Sequence, residues 1–474
     1  MRHALLACGL LAACTPALPI FDDGGGGGVD AGGSDAGGSD GSVRDGGDAG
    51  GGDAGGCPAG FADCDGAAGN GCERELGQPD ACGGCTDVCA PTRDCVDYVC
   101  EVPGIRDMMV AGGFTCVLLD TGRAFCWGTD DRGQLGDGFS DGTTAGDRPN
   151  PEAVVNLTDL DAMYGNASIA CAVDAAGVGS CWGQNSPEKF GDGMGLARVS
   201  TPEPLVFMGV PEPVLELREQ VGHLCVRTAS SVQCSGANSL HALGRDGANS
   251  RFLTPVTGLP SISGTRSVAA GFTSGAGFGV VALADGTVWA WGTNDNGECG
   301  QPASSEVYPA QAIAGLTDIV QVAAGVGFAC ALDNLGTVRC WGNNSNGELG
   351  AGPGPDSSTP TVIPGIPAMR RLHLGLGSVL AETLDGHQVW AWGDNSYNLL
   401  GLGPAGPSTA TPRAVLIDMT GDYEARICGT HSCLIRRRAG EDDAVLCAGS
   451  NMHYALGMMT ATDPTRHVEV PNFP

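Results

Sequence analysis

The residues best equipped for chemistry in this sequence are its 22 cysteines. Their spacing divides them into sets. Eight crowd into one short stretch, at Cys57, Cys64, Cys72, Cys82, Cys85, Cys89, Cys95 and Cys100. Ten others come as pairs around short turn signals: Cys116 with Cys126, Cys171 with Cys181, Cys225 with Cys234, Cys330 with Cys340, and Cys433 with Cys447. In a β-hairpin, residues equidistant from the turn face each other across the strands. Each pair is therefore placed for a cross-strand disulfide. The eight-cysteine stretch is too short to bury a core and reads as a disulfide framework. Cys82-Gly83-Gly84-Cys85 has the spacing of a zinc or redox pair. Amid six further cysteines, structural bridging is the better reading. Cys299 stands where an apolar residue belongs and reads as a buried free thiol, and Cys428 stands where a small residue belongs.

Other reactive groups do not converge. The chain has no H-E-x-x-H, no G-x-S-x-G and no G-x-x-x-x-G-K-[ST], the spacings that metal-assisted hydrolysis, acyl transfer and phosphate binding use. His223 and His431 occupy the repeat position that Phe114 and Phe328 fill elsewhere, so packing accounts for them. Asp130-Asp131 and Asp442-Asp443 read as solvated loop carboxylates. No catalytic residue, cofactor or metal ligand is assigned, and the chain is read as a non-enzyme.

The elements that position these residues repeat. The phrase Trp341-Gly342-Asn343-Asn344-Ser345-Asn346-Gly347-Glu348-Leu349-Gly350 has six relatives, beginning at Trp127, Trp182, Ser235, Trp291, Trp392 and Ala448. Its first glycines stand 55, 53, 56, 50, 51 and 56 residues apart, the period of a propeller or solenoid. Upstream of each phrase, two apolar runs flank a turn signal such as Asp285-Gly286, the mark of a hairpin. Downstream come a variable loop and a Pro-led extended stretch. Each repeat thus supplies about four short strands, one propeller blade. Two copies lack the cysteine pair, with Val280 and Ala290 in one and Ala381 and Ala391 in the other. The same two copies carry Trp289 and Trp390, which suggests aromatic packing in place of the bond. All seven tryptophans fall in the repeat and read as blade core rather than as a sugar-stacking platform.

This phrase, with its preceding Asp-Gly hairpin, resembles the regulator of chromosome condensation repeat, over about three quarters of the chain. The resemblance implies an all-β, seven-bladed β-propeller of about four-stranded blades. It also suggests that the tail, residues 466–470, is a blade-opening strand that pairs with strands between Met108 and Trp127 to close the ring. The family includes nucleotide-exchange factors for small GTPases and, on a similar fold, an inhibitor of secreted hydrolases. A net charge of −30 argues against nucleic acid, which demands a basic surface.

The N-terminus bears on location. Arg2 and His3 precede an apolar run too short to span a bilayer. It ends Leu11-Ala12-Ala13-Cys14, which resembles a bacterial lipoprotein signal with Cys14 as the lipidated residue. The expected organisation is a signal at 1–13, a flexible Gly/Asp-rich tether at 14–56, the Cys-rich module at 57–102 and the propeller at 103–474. Disulfide density suits an oxidising compartment. The expected function is an exported, outer-membrane-anchored or secreted monomer that binds or scaffolds an envelope or extracellular protein. Inhibition of a secreted hydrolase and glycan-binding adhesion are the alternatives, the second resting on Tyr308, Tyr397 and Tyr454 as sparse aromatic candidates. Recognition is assigned to the variable loops 137–150, 192–199, 245–253, 351–358 and 402–411, because binding concentrates on loops carried by a rigid scaffold. A second candidate contact is the hairpin tip 436–443, three arginines followed by three acids, with a local ion-paired turn as its plainer reading.

Overall fold

A computed structural model describes residues 103–470, apart from short interior stretches at 140–145, 167, 187–188, 191–196, 220–221, 261–263, 274–275, 353, 405, 419 and 460–462, together with four short strands nearer the N-terminus. Those four are β1 (Phe61–Ala62), paired with β2 (Arg74–Glu75), and β3 (Asp94–Val96), paired with β4 (Val99–Glu101). The second pairing sets Cys95 opposite Cys100. Cys14, the Gly/Asp-rich stretch and the rest of the eight-cysteine segment lie outside the described residues.

From Ile105 onward the chain forms seven four-stranded antiparallel sheets, each from consecutive strands. Blade 1 is β5 (Ile105–Val110), β6 (Phe114–Leu119), β7 (Ala124–Gly128) and β8 (Arg148–Ala153). The remaining blades open at Leu160, Glu216, Thr265, Ile319, Met369 and Asp422. The first strands of neighbouring blades lie against one another all the way round, the last against the first. The middle strands are mostly buried, Phe114–Leu119 and Phe328–Asp333 from end to end. A strand covered on both faces is mostly apolar.

The hairpin register holds. Cys116 faces Cys126, Cys171 faces Cys181, Cys225 faces Cys234, Cys330 faces Cys340 and Cys433 faces Cys447. All five pairs are disulfide-bonded. Blade 4 puts Val280 opposite Ala290. In blade 6 the partner of Ala391 is Leu380, not Ala381. Its hairpin tip has one extra residue, with Thr383 N–H donating to Gln388 O where blade 4 closes Leu283 on Thr287. The extra residue shifts the pairing by one. Trp289 and Trp390 do not replace the missing bonds. Side chains alternate between sheet faces, so Trp289 lies on the face opposite Ala290. It packs instead in the cluster that holds the Cys225–Cys234 bond of the preceding blade, as Trp390 does with Cys330–Cys340. Cys428, read from the sequence as packing, is buried and disulfide-bonded.

The tail also departs from expectation. Val468–Glu469 is the outer strand of blade 7, with Glu469 opposite Leu446 and Val468 opposite Cys447. Among the described residues no strand is exchanged between blades 7 and 1. The seam between blades 7 and 1 closes through side chains. Ile105, Val110 and Trp127 pack with Ile435, Val445, Leu456 and Val470. Buried Arg426 donates to Met108 O at 2.8 Å and ion-pairs with Asp107.

Candidate functional site: the loop face and its junctions

The repeated phrase is a junction device, and each of its fixed positions has a separate task. The anchor tryptophan is fully buried and donates from Nε1 to a backbone carbonyl of the preceding blade. The pairs are Trp127 to Ala455 (3.2 Å), Trp182 to Gln134 (3.0 Å), Trp291 to Ala242 (3.1 Å), Trp341 to Glu298 (2.8 Å) and Trp392 to Glu348 (2.8 Å). The acceptor always lies two residues before the second glycine of its own phrase. Blades 3 and 7 lack the tryptophan, yet keep the bond. Ser235 Oγ donates to Lys189 O at 2.5 Å, and Ser432 Oγ, on the strand facing Ala448, donates to Leu399 O. Every junction of the ring therefore carries one donor aimed at the same carbonyl.

Two glycines make the geometry possible. The first has φ between +95° and +110° in all seven copies. At Gly128, a Cβ would sit 2.4 Å from Gly113 O. The second glycine makes room for the next blade's tryptophan, since a Cβ on Gly136 would lie 2.6 Å from Trp182 Nε1. Only glycine satisfies both demands. Two residues beyond the first glycine, an Asn or Asp side-chain oxygen accepts the N–H of the apolar residue five positions on. This bond measures 2.9–3.1 Å in all seven copies, from Leu135 on Asp130 to Leu456 on Asn451.

Asp130 is the exception in that series, and it is not the solvated loop carboxylate expected. It is 1% exposed, and its Oδ2 has no partner. The asparagines use the corresponding nitrogen as a donor, as Asn451 Nδ2 does to Met458 O at 2.8 Å. Burial pushes the Asp130 pKa up to about 7, with Asp137 and Asp131 adding to the shift and the Leu135 N–H and Arg148 opposing it.

Antiparallel connections alternate between the two ends of a blade. The variable loops follow the third strand of each blade, so they share one face with the turns between first and second strands. The hairpin tip 436–443 joins second and third strands and lies on the opposite face. The two candidate contacts are thus separated. At that tip Arg437 pairs with Glu424 and Asp443, and Arg438 with Asp418 and Glu441. This is the local ion-paired turn. His223 and His431 are buried packing residues. Burial drives their pKa values down to about 4 and about 3, and His431 Nε2 meets Thr115 Oγ1 at 2.9 Å across the closing seam. Cys299 is a buried free thiol whose Sγ donates to Thr293 O at 3.2 Å. Tyr308 stacks on His241 at 4.2 Å, while Tyr397 and Tyr454 sit on other blades. Among the described residues no three His, Cys, Asp or Glu side chains come together as a metal site.

One feature of the loop face escaped the sequence reading. Where blades 7, 1 and 2 meet, a pocket of about 390 Å³ opens, lined among others by Thr129, Asp131, Arg132, Asn166 and Lys189. Lys189 is 1% exposed. Burial lowers its pKa to about 7, Arg132 lowers it further, and buried Glu219 opposes both. The signal was present in the aligned copies. The residue two before the second glycine is buried in all seven, as Gln134, Lys189, Ala242, Glu298, Glu348, Leu399 and Ala455. Lys189 is the one cation in the series.

Seven four-stranded blades ringed by these junctions define a seven-bladed β-propeller. The Regulator of chromosome condensation (RCC1) repeat matches residues 112–134, 319–348 and 285–332. The fold is shared with Prp20p from Saccharomyces cerevisiae at a TM-score of 0.56, 18% identity, and coverage of 70% of this chain and 81% of that one. Human WBSCR16 gives a TM-score of 0.60, 19% identity, and coverage of 73% and 93%. Among curated proteins, the mouse and human E3 ubiquitin-protein ligase HERC2 are 26% identical over 293 residues, 60% of this chain. The chain spans only 6% of the length of those relatives. The chain carries matches to the regulator of chromosome condensation repeat on a seven-bladed β-propeller fold.

Proposed function

We propose that this protein is an exported binding or scaffolding propeller, held at the outer membrane through Cys14, that docks an envelope or extracellular protein on its loop face. The observation that carries this reading is the contrast within each repeat. Trp, Gly, Asn and Gly positions are fixed by junction geometry, while loops of differing length and chemistry emerge on one common face. Export is supported by five hairpin disulfides, a bond type that persists in oxidising compartments. Among proteins of related fold, Prp20p has binding properties to Gsp1p and histones, and Kap60 is found bound to yeast RCC1 (Prp20). Partners of that kind illustrate the fold's use as a protein-binding surface. The ligase activity of HERC2 is not carried over, since the chain spans 6% of that protein.

The test is an affinity capture with the full-length chain against envelope and extracellular fractions, read by mass spectrometry. One protein retained in near-equal amount, and lost when loop 245–253 is replaced by a Gly-Ser linker, is the expected result. A hydrolase as that protein would mean inhibition. Retention of nothing by the wild-type chain, or a partner insensitive to every loop exchange, would overturn the reading. Fractionation of Cys14→Ala tests the anchor, which predicts movement from the membrane to the soluble fraction.

A further inference from the structure

We propose that the pocket where blades 7, 1 and 2 meet binds a small hydroxylated carboxylic acid, such as a hexuronic acid, through Lys189, Arg132, Asn166 and Thr129. This inference does not depend on the protein-docking reading. It rests on groups that converge on one pocket. Lys189 and Arg132 are close enough to repel each other across it, an arrangement that an anion between them relieves. Arg132 spends only its Nε on Asp131, at 3.3 Å, and its two terminal nitrogens remain for a carboxylate. Asn166 is 1% exposed and Thr129 9% exposed, yet Asn166 Nδ2 and Thr129 Oγ1 have no partner in the protein. Buried polar groups are normally satisfied, so these two ask for a ligand or ordered solvent in the pocket that they line.

The size and the remaining lining set the class. A pocket of about 390 Å³ is far larger than a carboxylate alone and lies within the range of small-ligand sites. Asn166 Nδ2 is a donor, and Thr129 Oγ1 can donate or accept, which suits hydroxyl groups. Asp131 also lines the pocket. Its carboxylate disfavours a dianion such as phosphate but accepts from a hydroxyl. Glu219, buried near Lys189, opposes the fall of the lysine's pKa, while burial pushes its own up to about 8.

Isothermal titration of the full-length chain with glucuronate tests the assignment, with glucose and acetate as controls. The expected result is saturable binding of glucuronate, weaker by about tenfold or more for either control and for Lys189→Met and Arg132→Gln. Lys189→Met replaces a buried cation by an apolar chain of similar length and should fold. Arg132→Gln, at the partly exposed rim, provides the second variant if it does not. A uronate trisaccharide separates the sources. Tighter binding than the monosaccharide points to a polysaccharide end, and equal or weaker binding to the free acid. Absence of glucuronate binding by the wild-type chain, or binding unchanged in both variants, would overturn the proposal.

Discussion

Blades 4 and 5 are neighbours with the same strand pattern, yet only blade 5 is cross-linked. Cys330 and Cys340 face each other in one, Val280 and Ala290 in the other, and all four are fully buried. Both blades carry the anchor tryptophan, its bond to the preceding blade, and the side-chain oxygen bound to the apolar N–H. The disulfide is therefore an addition to a junction that works without it. What holds the ring is the phrase. The bond contributes by restricting the unfolded chain, and it forms only where the compartment permits.

Substitutions can break or sharpen that comparison. The largest effect should come from the anchors. Trp291→Ala and Trp341→Ala should each cost about 3–5 kcal/mol in denaturant unfolding, through lost burial and an orphaned carbonyl acceptor in the preceding blade. The two losses should be alike, and a much smaller one in blade 5 would mean that its disulfide carries the junction. Next comes the bond itself. Replacing Cys330 by Val and Cys340 by Ala copies blade 4 into blade 5 and should cost about 2–3 kcal/mol, the loop-closure value for so short a loop.

The third prediction concerns the odd member of the Asn series. Asp130→Asn restores the donor that the other copies use and should stabilise the protein by about 1–3 kcal/mol at pH 8. The sign follows from the raised pKa. The unfolded state loses this proton near pH 4 and the folded state only near pH 7. The wild type therefore loses stability as pH rises between those values, with Asp137, Asp131 and Arg148 as the charges facing the group. The variant's advantage should shrink towards pH 4, and thermal melts at both pH values check it. An advantage unchanged with pH would show that Asp130 is ionised in the fold throughout. The smallest effect is expected at Cys299, whose thiol burial pushes well above its ordinary value. Alkylating reagents should leave it unmodified until the chain unfolds.

The phrase was legible in the sequence because one geometry imposes it seven times. Gly128 and its equivalents need positive φ, Asn344 and its equivalents need a side-chain oxygen, and neither demand depends on distant sequence. The hairpin disulfides were legible for the same reason, since a cross-strand pair is a local relation. What was missed depended on contacts between repeats or on one residue of loop length. The tail resembles a blade-opening strand, a likeness that does not fix which sheet edge it joins. Only the complete set of blades shows that the outer position of blade 7 was vacant for it. Blade 6 slipped by one residue because the extra residue in its tip carries no pattern of its own. Trp390 cannot stand in for a bond at Ala391, because successive side chains of a strand point to opposite faces. The pocket was invisible because Thr129 comes from blade 1 and Asn166 and Lys189 from blade 2, at three different positions of the repeat.

The most direct test of an exported, disulfide-braced propeller is thiol mapping of the protein as its own cells make it. Free thiols would be blocked at the moment of lysis, and peptides compared with and without reduction. The account predicts Cys116 joined to Cys126, Cys171 to Cys181, Cys225 to Cys234, Cys330 to Cys340 and Cys433 to Cys447, with Cys299 unlinked. Blocked, unpaired thiols at those ten positions would contradict the compartment, and Cys116 joined to any other cysteine would contradict the register of the blades.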